Sequence, residues 1–395
     1  MLISITYILF FGLFLGFLCK KSGLPGLLGM LLAGILIGPS VLNLIDSSVL
    51  NISAEIRKIA LIIIFLRAGL KLSADDLKKV GRPAILMCFL PATFEVLGML
   101  LLAPPLLGIT VLDAAILGAV VGAVSPAVVV PGMIKLIDEG YGTKKKIPQM
   151  ILAGASVDDV FVIVLFTTFT GLARGGSVEV MSFVNIPLSI ALGAVAGLCI
   201  GTVLVFYFDK VKVRDSVKVL VVLGTSFALA FIEDKWGDVI PFASLIAVMT
   251  LGLMMKRKKQ DLAACLASQF DKLWIPAEVF LFVLVGASVA IESLKTTGLS
   301  AVLLLLGVLI FRMLGVLVCL LGTPLNQKER AFCMAAYTPK ATVQAAIGGL
   351  PLAMGLACGE TVLTVSVVAI ILTAPLGALA IEFLHKRCLE RSETQ

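Results

Sequence analysis

Apolar stretches alternate with short polar loops along the whole chain. Because a helix needs about 20 apolar residues to cross a bilayer, each stretch predicts one transmembrane span. The predicted spans are residues 2–18, 24–41, 58–72, 83–104, 111–134, 148–171, 187–208, 217–233, 239–255, 273–291, 298–321, 330–352 and 361–384. The pattern predicts an all-α polytopic membrane protein of about 13 transmembrane helices. It forms a single membrane domain over residues 1–395.

The distribution of Lys and Arg predicts the orientation of these spans. Of the 32 basic residues, 24 fall in one set of alternate loops, 5 fall in the opposite set and 3 lie inside spans. Basic loops stay on the cytoplasmic side. We therefore expect a cytoplasmic C-terminus, an outside N-terminus and a location in the cell (inner) membrane. The first apolar run lacks a basic segment and a cleavage pattern, so we expect it to be retained as a helix.

Composition narrows the function classes. The chain is 59% hydrophobic and 14% charged, against about 45–50% and about 25% in soluble domains, and its short loops leave no room for a soluble catalytic domain. The net charge of +7 is spread between apolar runs, so we expect no nucleic-acid partner. The eight cysteines stand singly, and the only histidine, His385, follows the last span. We expect a solvated histidine, no disulfide framework, no zinc site, no cofactor and no enzyme activity.

Three matches between the halves of the chain indicate an internal repeat. They pair Pro25 with Pro241, FLRAG (65–69) with FVLVG (282–286), and Ser125-Pro126 with Thr338-Pro339, at offsets between 213 and 217. Each match is displaced by seven spans, so the two copies have opposite orientations in the membrane. Inverted repeats are typical of secondary transporters. We expect the first repeat at residues 2–171, a linker helix at 187–208 and the second repeat at 217–384.

Each repeat carries a hydroxyl residue followed by proline near the middle of a span. Because proline removes a backbone donor, we expect both helices to break at Pro126 and Pro339. Free carbonyls and half-helix ends at that depth suit a bound cation. Candidate ligands around the breaks are Val124, Ser125 and Thr338.

Charged side chains inside the spans are the candidate chemical groups. Asp158 and Asp159 lie in the otherwise apolar segment GASVDDVFVIVLF, and Lys340 follows the second break. Buried charges in a membrane are costly and mark ion or proton pathways. Adjacent helical residues point about 100° apart, so we expect the two acids to have different partners. One of them is expected to pair with Lys340.

Glu95 and Arg312 are opposite charges at equivalent places of the two repeats. We expect them to form a structural ion pair, because losing one partner of a buried pair destabilises a protein. Exchanging the two residues should then restore the expression that either single variant loses. Arg67 lies near the cytoplasmic end of its span, where either an interfacial or a functional role is open.

These motifs resemble the monovalent cation:proton antiporters, closest to the sodium/hydrogen exchanger B subfamily and its bacterial relatives. The resemblance rests on GLPGLLGMLLAGILIGP, RAGL, VSPAVVVPGM, SVDDV and PKATVQAAIGGLP. It implies two crossed broken helices, a homodimer and elevator-like access, with a transporting core at residues 83–171 and 298–384 and a dimerisation scaffold at 2–72 and 217–291. It also implies that Asp159 binds the ion, that Asp158 pairs with Lys340, and that an Asp-Asp pair is electrogenic. Some relatives place a carboxylate five residues before the ion-binding Asp, where this chain has Gly154.

The expected function is electrogenic exchange of Na⁺ or Li⁺ for H⁺, with lipid, cations and protons as the partners. Cation and protons compete for Asp159 and for the Asp158/Lys340 pair, and oxygen ligands suit a hard monovalent cation. A sodium-coupled symporter of an organic anion remains the main alternative. A channel or ion sensor without coupled exchange is a second one.

Overall fold

The computed structural model describes residues 1–71, 81–174, 180–211, 213–236 and 242–391. Pro241, one member of the predicted repeat, lies outside these residues. The described chain is helical, apart from loops and one isolated bridge between Tyr141 and Arg391. Its helices are α1 (Leu2–Lys21), α2 (Gly26–Ile37), α3 (Ser47–Asn51), α4 (Ser53–Lys71), α5 (Arg82–Met87), α6 (Leu90–Leu107), α7 (Val111–Val121), α8 (Pro126–Asp138), α9 (Ile147–Ala173), α10 (Val180–Lys210), α11 (Asp215–Trp236), α12 (Ser244–Lys258), α13 (Gln260–Ala287), α14 (Ile291–Cys319), α15 (Gln327–Ala336), α16 (Thr342–Ile347), α17 (Leu350–Ala353) and α18 (Gly359–Cys388).

Every predicted span overlaps at least one of these helices. Within the described residues, seven helical stretches are long and apolar enough to cross a membrane, namely Leu2–Lys21, Arg82–Leu107, Val111–Asp138, Ala191–Lys210, Asp215–Trp236, Thr297–Cys319 and Gly359–Cys388. Shorter apolar helices cover Gly26–Ile37, Phe161–Ala173 and Thr342–Ala353. The all-helical membrane fold is confirmed, whereas the number of thirteen spans stays a prediction.

An additional break interrupts the predicted span 83–104. Helix α5 ends at Met87 and α6 begins at Leu90, with Pro91 in the first turn of α6. Proline is tolerated in a first turn because the backbone donors there have no helical partner. The hydroxyl of Tyr337 donates to the carbonyl of Met87 at 2.9 Å. A side chain distant in sequence thus satisfies an acceptor at the end of α5.

The chain divides into two compact units. One contains Met1–Ala54, Ala74–Arg174 and Phe282–Gln395, and the other contains Glu55–Ser73 and Gly175–Leu281. The expected core ranges 83–171 and 298–384 both fall in the first unit. Residues 2–54, which we expected in the scaffold, belong to that unit as well. The functional division into core and scaffold stays a prediction.

Each unit contains a close helix crossing at two glycines. In the first unit, a Cβ added to Gly286 of α13 would lie 3.1 Å from the Cα of Gly34 in α2. In the second unit, a Cβ added to Gly252 of α12 would lie 3.0 Å from the carbonyl carbon of Gly69 in α4. Gly69 and Gly286 are equivalent in the predicted repeat. Each unit therefore builds the same contact from opposite halves of the chain, as inverted repeats require.

Candidate functional site

The first broken helix ends at Val121 and resumes at Pro126. Pro126 is the first residue of α8, and Ser125 before it is extended, as residues preceding proline prefer. The backbone N–H of Ser125 donates to the carbonyl of Pro339 at 2.7 Å. The two breaks therefore meet at this hydrogen bond.

The second broken helix unwinds over residues 337–341, between α15 and α16. Pro339 lies inside the unwound segment, whereas Pro126 begins a helix, so the two prolines are not structurally equivalent. Helix α18 supports this break. The N–H of Lys340 donates to Oγ1 of Thr373 at 2.8 Å, and a Cβ added to Gly377 would lie 2.1 Å from Cγ of Pro339.

Arg312 of α14 is fully buried and joins both breaks. Its Nη1 donates to the carbonyl of Gly122 at 2.5 Å and its Nε to the carbonyl of Tyr337 at 2.6 Å. The same guanidinium pairs with Oε2 of Glu95 at 2.6 Å and with Oδ2 of Asp158 at 3.0 Å. A planar fork of fixed donors suits such a junction. The expected Glu95–Arg312 pair is present, and Arg312 also makes contacts that the sequence did not indicate.

Lys340 has a different partner from the one that we expected. Its Nζ lies 2.5 Å from Oε2 of Glu95, and both side chains are buried. The expected Asp158–Lys340 pair is therefore wrong for this structure, because Glu95 takes the ammonium and Arg312 takes Asp158. Glu95, Lys340, Arg312 and Asp158 form one charged network, which we call the core network.

The two adjacent aspartates of α9 differ in surroundings. Asp158 is fully buried, and its Oδ2 accepts from the backbone N–H of Val124 at 2.7 Å as well as from Arg312. Asp159 is partly exposed. Oδ1 of each residue is buried and lacks a hydrogen-bond partner within the described ranges. One acid is thus tied to the breaks through one oxygen, and each acid keeps one oxygen able to accept a proton or a cation.

The three candidate ligands at the breaks make hydrogen bonds of their own. Val124 donates its N–H to Asp158, whereas the atom that a cation would bind is its carbonyl oxygen. Ser125 Oγ lies 3.4 Å from Oγ1 of Thr342, at the boundary between the two broken helices. The hydroxyl of Thr338 donates to the carbonyl of Ala335 in α15 at 2.8 Å. Asp158 and Asp159 each keep a buried oxygen without a hydrogen-bond partner among the described residues, and the role of the three break residues as ligands stays a prediction.

Sequence reasoning missed three residues that hold the breaks. Gln344 donates to carbonyls at the end of α7, Thr373 accepts from the second break, and Tyr337 caps α5. A signal existed for Gln344, because a glutamine in the run ATVQAAIGG is unusual inside a membrane. Nothing in their sequence context identifies the partners of the other two.

Outside the core network, Arg67 and His385 have structural contacts. Arg67 pairs with Asp271 at 2.8 Å and lies over the Trp274 ring. His385 is buried at 2% exposure and packs edge-on against Tyr141, so the expected solvated histidine is wrong. In the part of the chain that the structure describes, all eight cysteines are free and no group of three or more His, Cys, Asp and Glu could hold a metal ion.

Inverted repeats, two crossed broken helices and buried acids at the crossing define a secondary transporter of the membrane. The family comparison agrees with that class. A model of the family "Sodium/hydrogen exchanger, transmembrane" matches residues 5–387. The chain therefore belongs to the sodium/hydrogen exchanger family and is an integral multi-pass membrane protein.

Curated relatives and a solved structure agree with this assignment. Sodium/hydrogen exchanger 9B2 of Homo sapiens is 36% identical over 94% of this chain and 71% of its own length. Sodium/hydrogen exchanger 9B1 of Mus musculus is 30% identical over 94% of this chain and 67% of its own length. The sodium proton antiporter MjNhaP1 from Methanocaldococcus jannaschii has the same fold, with a TM-score of 0.84, 20% identity and 97% of each chain covered. The two curated relatives are both named as sodium/hydrogen exchangers.

Proposed function

We propose that this protein exchanges Na⁺ or Li⁺ for H⁺, with the cation and a proton competing for Asp159. The observation that carries the proposal is the buried Oδ1 of Asp159, which lacks a hydrogen-bond partner among the described side chains and backbone groups. Carboxylate oxygen is a preferred ligand of a hard cation and also a proton acceptor. Loading either one displaces the other, and the gradients set the direction.

Asp158 supports the same site. Arg312 and the N–H of Val124 hold its Oδ2, which fixes the carboxylate and leaves Oδ1 as a second oxygen for the cation. Since a guanidinium keeps its charge, Arg312 serves as a permanent counter-charge. The core network thus orients the acids while the ion occupies and leaves the site.

Electrogenic turnover requires a second proton for each cation. Lys340, held by Glu95, is the group of the core network that can release it, because a lysine titrates more readily than an arginine. We expect exchange to respond to membrane potential. Lys340→Arg keeps the charge but removes the second proton, so it should make turnover insensitive to the potential.

The wider assignment follows from the family resemblance and, for the orientation of the termini, from the sequence pattern. We propose elevator-like alternating access, a homodimer within the lipid bilayer, an outside N-terminus and a cytoplasmic C-terminus. The excess of basic residues in alternate loops supports this orientation. We propose no cofactor, no nucleic-acid partner and no enzyme activity.

The decisive experiment measures dissipation of a preset pH gradient in proteoliposomes when Na⁺, Li⁺ or K⁺ is added. Asp159→Asn should abolish the response, and Asp158→Asn should strongly reduce it. Asp271→Asn is the matched control, because that acid is paired with Arg67 and Lys71 in the other unit, and it should leave exchange intact.

Two outcomes would overturn the proposal. Proton flux that persists in a well-folded Asp159→Asn protein would remove Asp159 from the site. Absence of cation-driven proton movement in the unmodified protein, together with Na⁺-driven uptake of a labelled organic acid, would favour the symporter instead.

A further inference from the structure

Gln344 of α16 is a fully buried polar side chain at the crossing of the broken helices. Its Nε2 lies 3.2 Å from the carbonyl oxygen of Val120 and 3.1 Å from those of Val121 and Ala123. These carbonyls end α7 and open the first break. A side chain of the second broken helix therefore covers the C-terminal end of the first one.

The amide orientation follows from these acceptors. Three carbonyls surround the nitrogen, while Oε1 is buried and lacks a hydrogen-bond partner in the described ranges. Arg312 covers the carbonyl of Gly122. Four consecutive carbonyls, at residues 120–123, thus lie within hydrogen-bond distance of donors on two side chains, and the two N–H groups of Gln344 are shared among three of them.

Those carbonyls would otherwise be natural cation ligands. The C-terminal end of a helix carries partial negative charge, and carbonyls freed at a break inside a membrane protein can coordinate Na⁺. An N–H donor and a cation compete for the same oxygen. The amide of Gln344 therefore occupies the place that a cation would take at the end of α7.

We propose that Gln344 is a positioning residue that sets the cation preference of the site. By keeping three carbonyls engaged, it leaves the cation to the carboxylate oxygens of Asp158 and Asp159. A concentrated negative charge attracts a small cation more strongly than a large one, whereas a ring of carbonyl dipoles is the ligand set of potassium-selective filters. The inference rests on the proposed cation–proton exchange.

The test variant is Gln344→Met, which keeps length and apolar volume but removes both donors. The half-saturating concentrations of K⁺ and Na⁺ are measured in proteoliposomes by dissipation of the pH gradient. We expect the variant to shift the preference toward K⁺ by about tenfold, the effect of about one hydrogen bond. A merely structural role would lower the rates for both ions and leave the ratio of the two concentrations unchanged.

Thr373→Val is the matched control. It removes the hydroxyl that accepts from Lys340 in the second break and leaves the carbonyls of α7 covered. We expect it to lower the transport rate or the amount of folded protein without changing the ratio of half-saturating concentrations. A ratio that moves equally in both variants would overturn the role of Gln344.

A second variant keeps the test open if Gln344→Met fails to fold. Gln344→Glu retains the shape and places a carboxylate against the three carbonyls, where a cation can sit between them. Added Na⁺ or K⁺ should then raise the thermal unfolding temperature of the detergent-solubilised variant more than that of the unmodified protein. Equal stabilisation of the variant and the unmodified protein by the added cation would overturn the role of Gln344. Failure of the proposed function is distinguishable from this result, because the unmodified protein would then show no cation-driven proton flux.

Discussion

Exchanging Glu95 and Arg312 tests which charged residues pair with each other in the core network. If the two residues formed an isolated pair, Glu95→Arg with Arg312→Glu would restore the lost expression. The structure predicts the opposite, because Arg312 also pairs with Asp158 at 3.0 Å and Glu95 also pairs with Lys340 at 2.5 Å. After the exchange, one contact stays attractive and two become repulsive.

The magnitude follows from the distances. Two unit charges 3 Å apart interact by about 5 kcal/mol at an effective dielectric constant of about 20, so each reversal of sign changes the energy by about 10 kcal/mol. Two reversals exceed the whole stability of a typical domain, about 5–15 kcal/mol. A glutamate at position 312 would also face the carbonyls of Gly122 and Tyr337, which Arg312 now satisfies.

The assay compares expression, size-exclusion profile and thermal unfolding in detergent for both single variants and the double variant. We expect the double variant to be at least as unstable as either single one. The control exchanges Lys135 and Glu382, an ion pair 2.9 Å long whose side chains are 48% and 56% exposed, and it should change stability by at most about 1 kcal/mol. If the double variant of Glu95 and Arg312 expresses and unfolds like the unmodified protein, the additional pairs of Arg312 with Asp158 and of Glu95 with Lys340 are refuted.

Two further predictions concern the support of the breaks. Gly377→Ala should lower the unfolding temperature, because the new Cβ would lie 2.1 Å from Cγ of Pro339 and overpacking costs about 1–3 kcal/mol. The control Gly224→Ala adds a Cβ with no heavy atom within 4 Å and should not lower the unfolding temperature, so equal effects of the two variants would contradict the contact. Tyr337→Phe removes the hydrogen bond to the carbonyl of Met87. It should lower the free energy of unfolding by about 1–3 kcal/mol, measured by thermal unfolding, while antiport persists. Loss of antiport in a stable protein would mean that the hydroxyl acts in transport.

Much of the architecture could be predicted from local sequence properties. Hydrophobic length placed the helices, prolines marked the two broken helices, and the odd displacement between matching segments predicted the inverted repeat. The acids of α9 and the Glu95–Arg312 pair were found because charge is costly in a bilayer, so each buried charge is conspicuous. These signals depend on residue type and spacing along one chain.

The choice of hydrogen-bond partners was decided by the tertiary structure. Asp158 and Glu95 are both acids near Arg312 and Lys340, and the sequence offers no reason why Lys340 should bind Glu95. The break at Cys88–Phe89 and the reach of Gln344 to α7 were likewise hidden, since their partners lie more than 200 residues away. Spacing along the chain predicts which helix carries a charged residue and which other residues lie on the same face of that helix. Which of the four buried charges pair with one another depends on ångström differences in helix position, and those differences arise only when all the helices have packed.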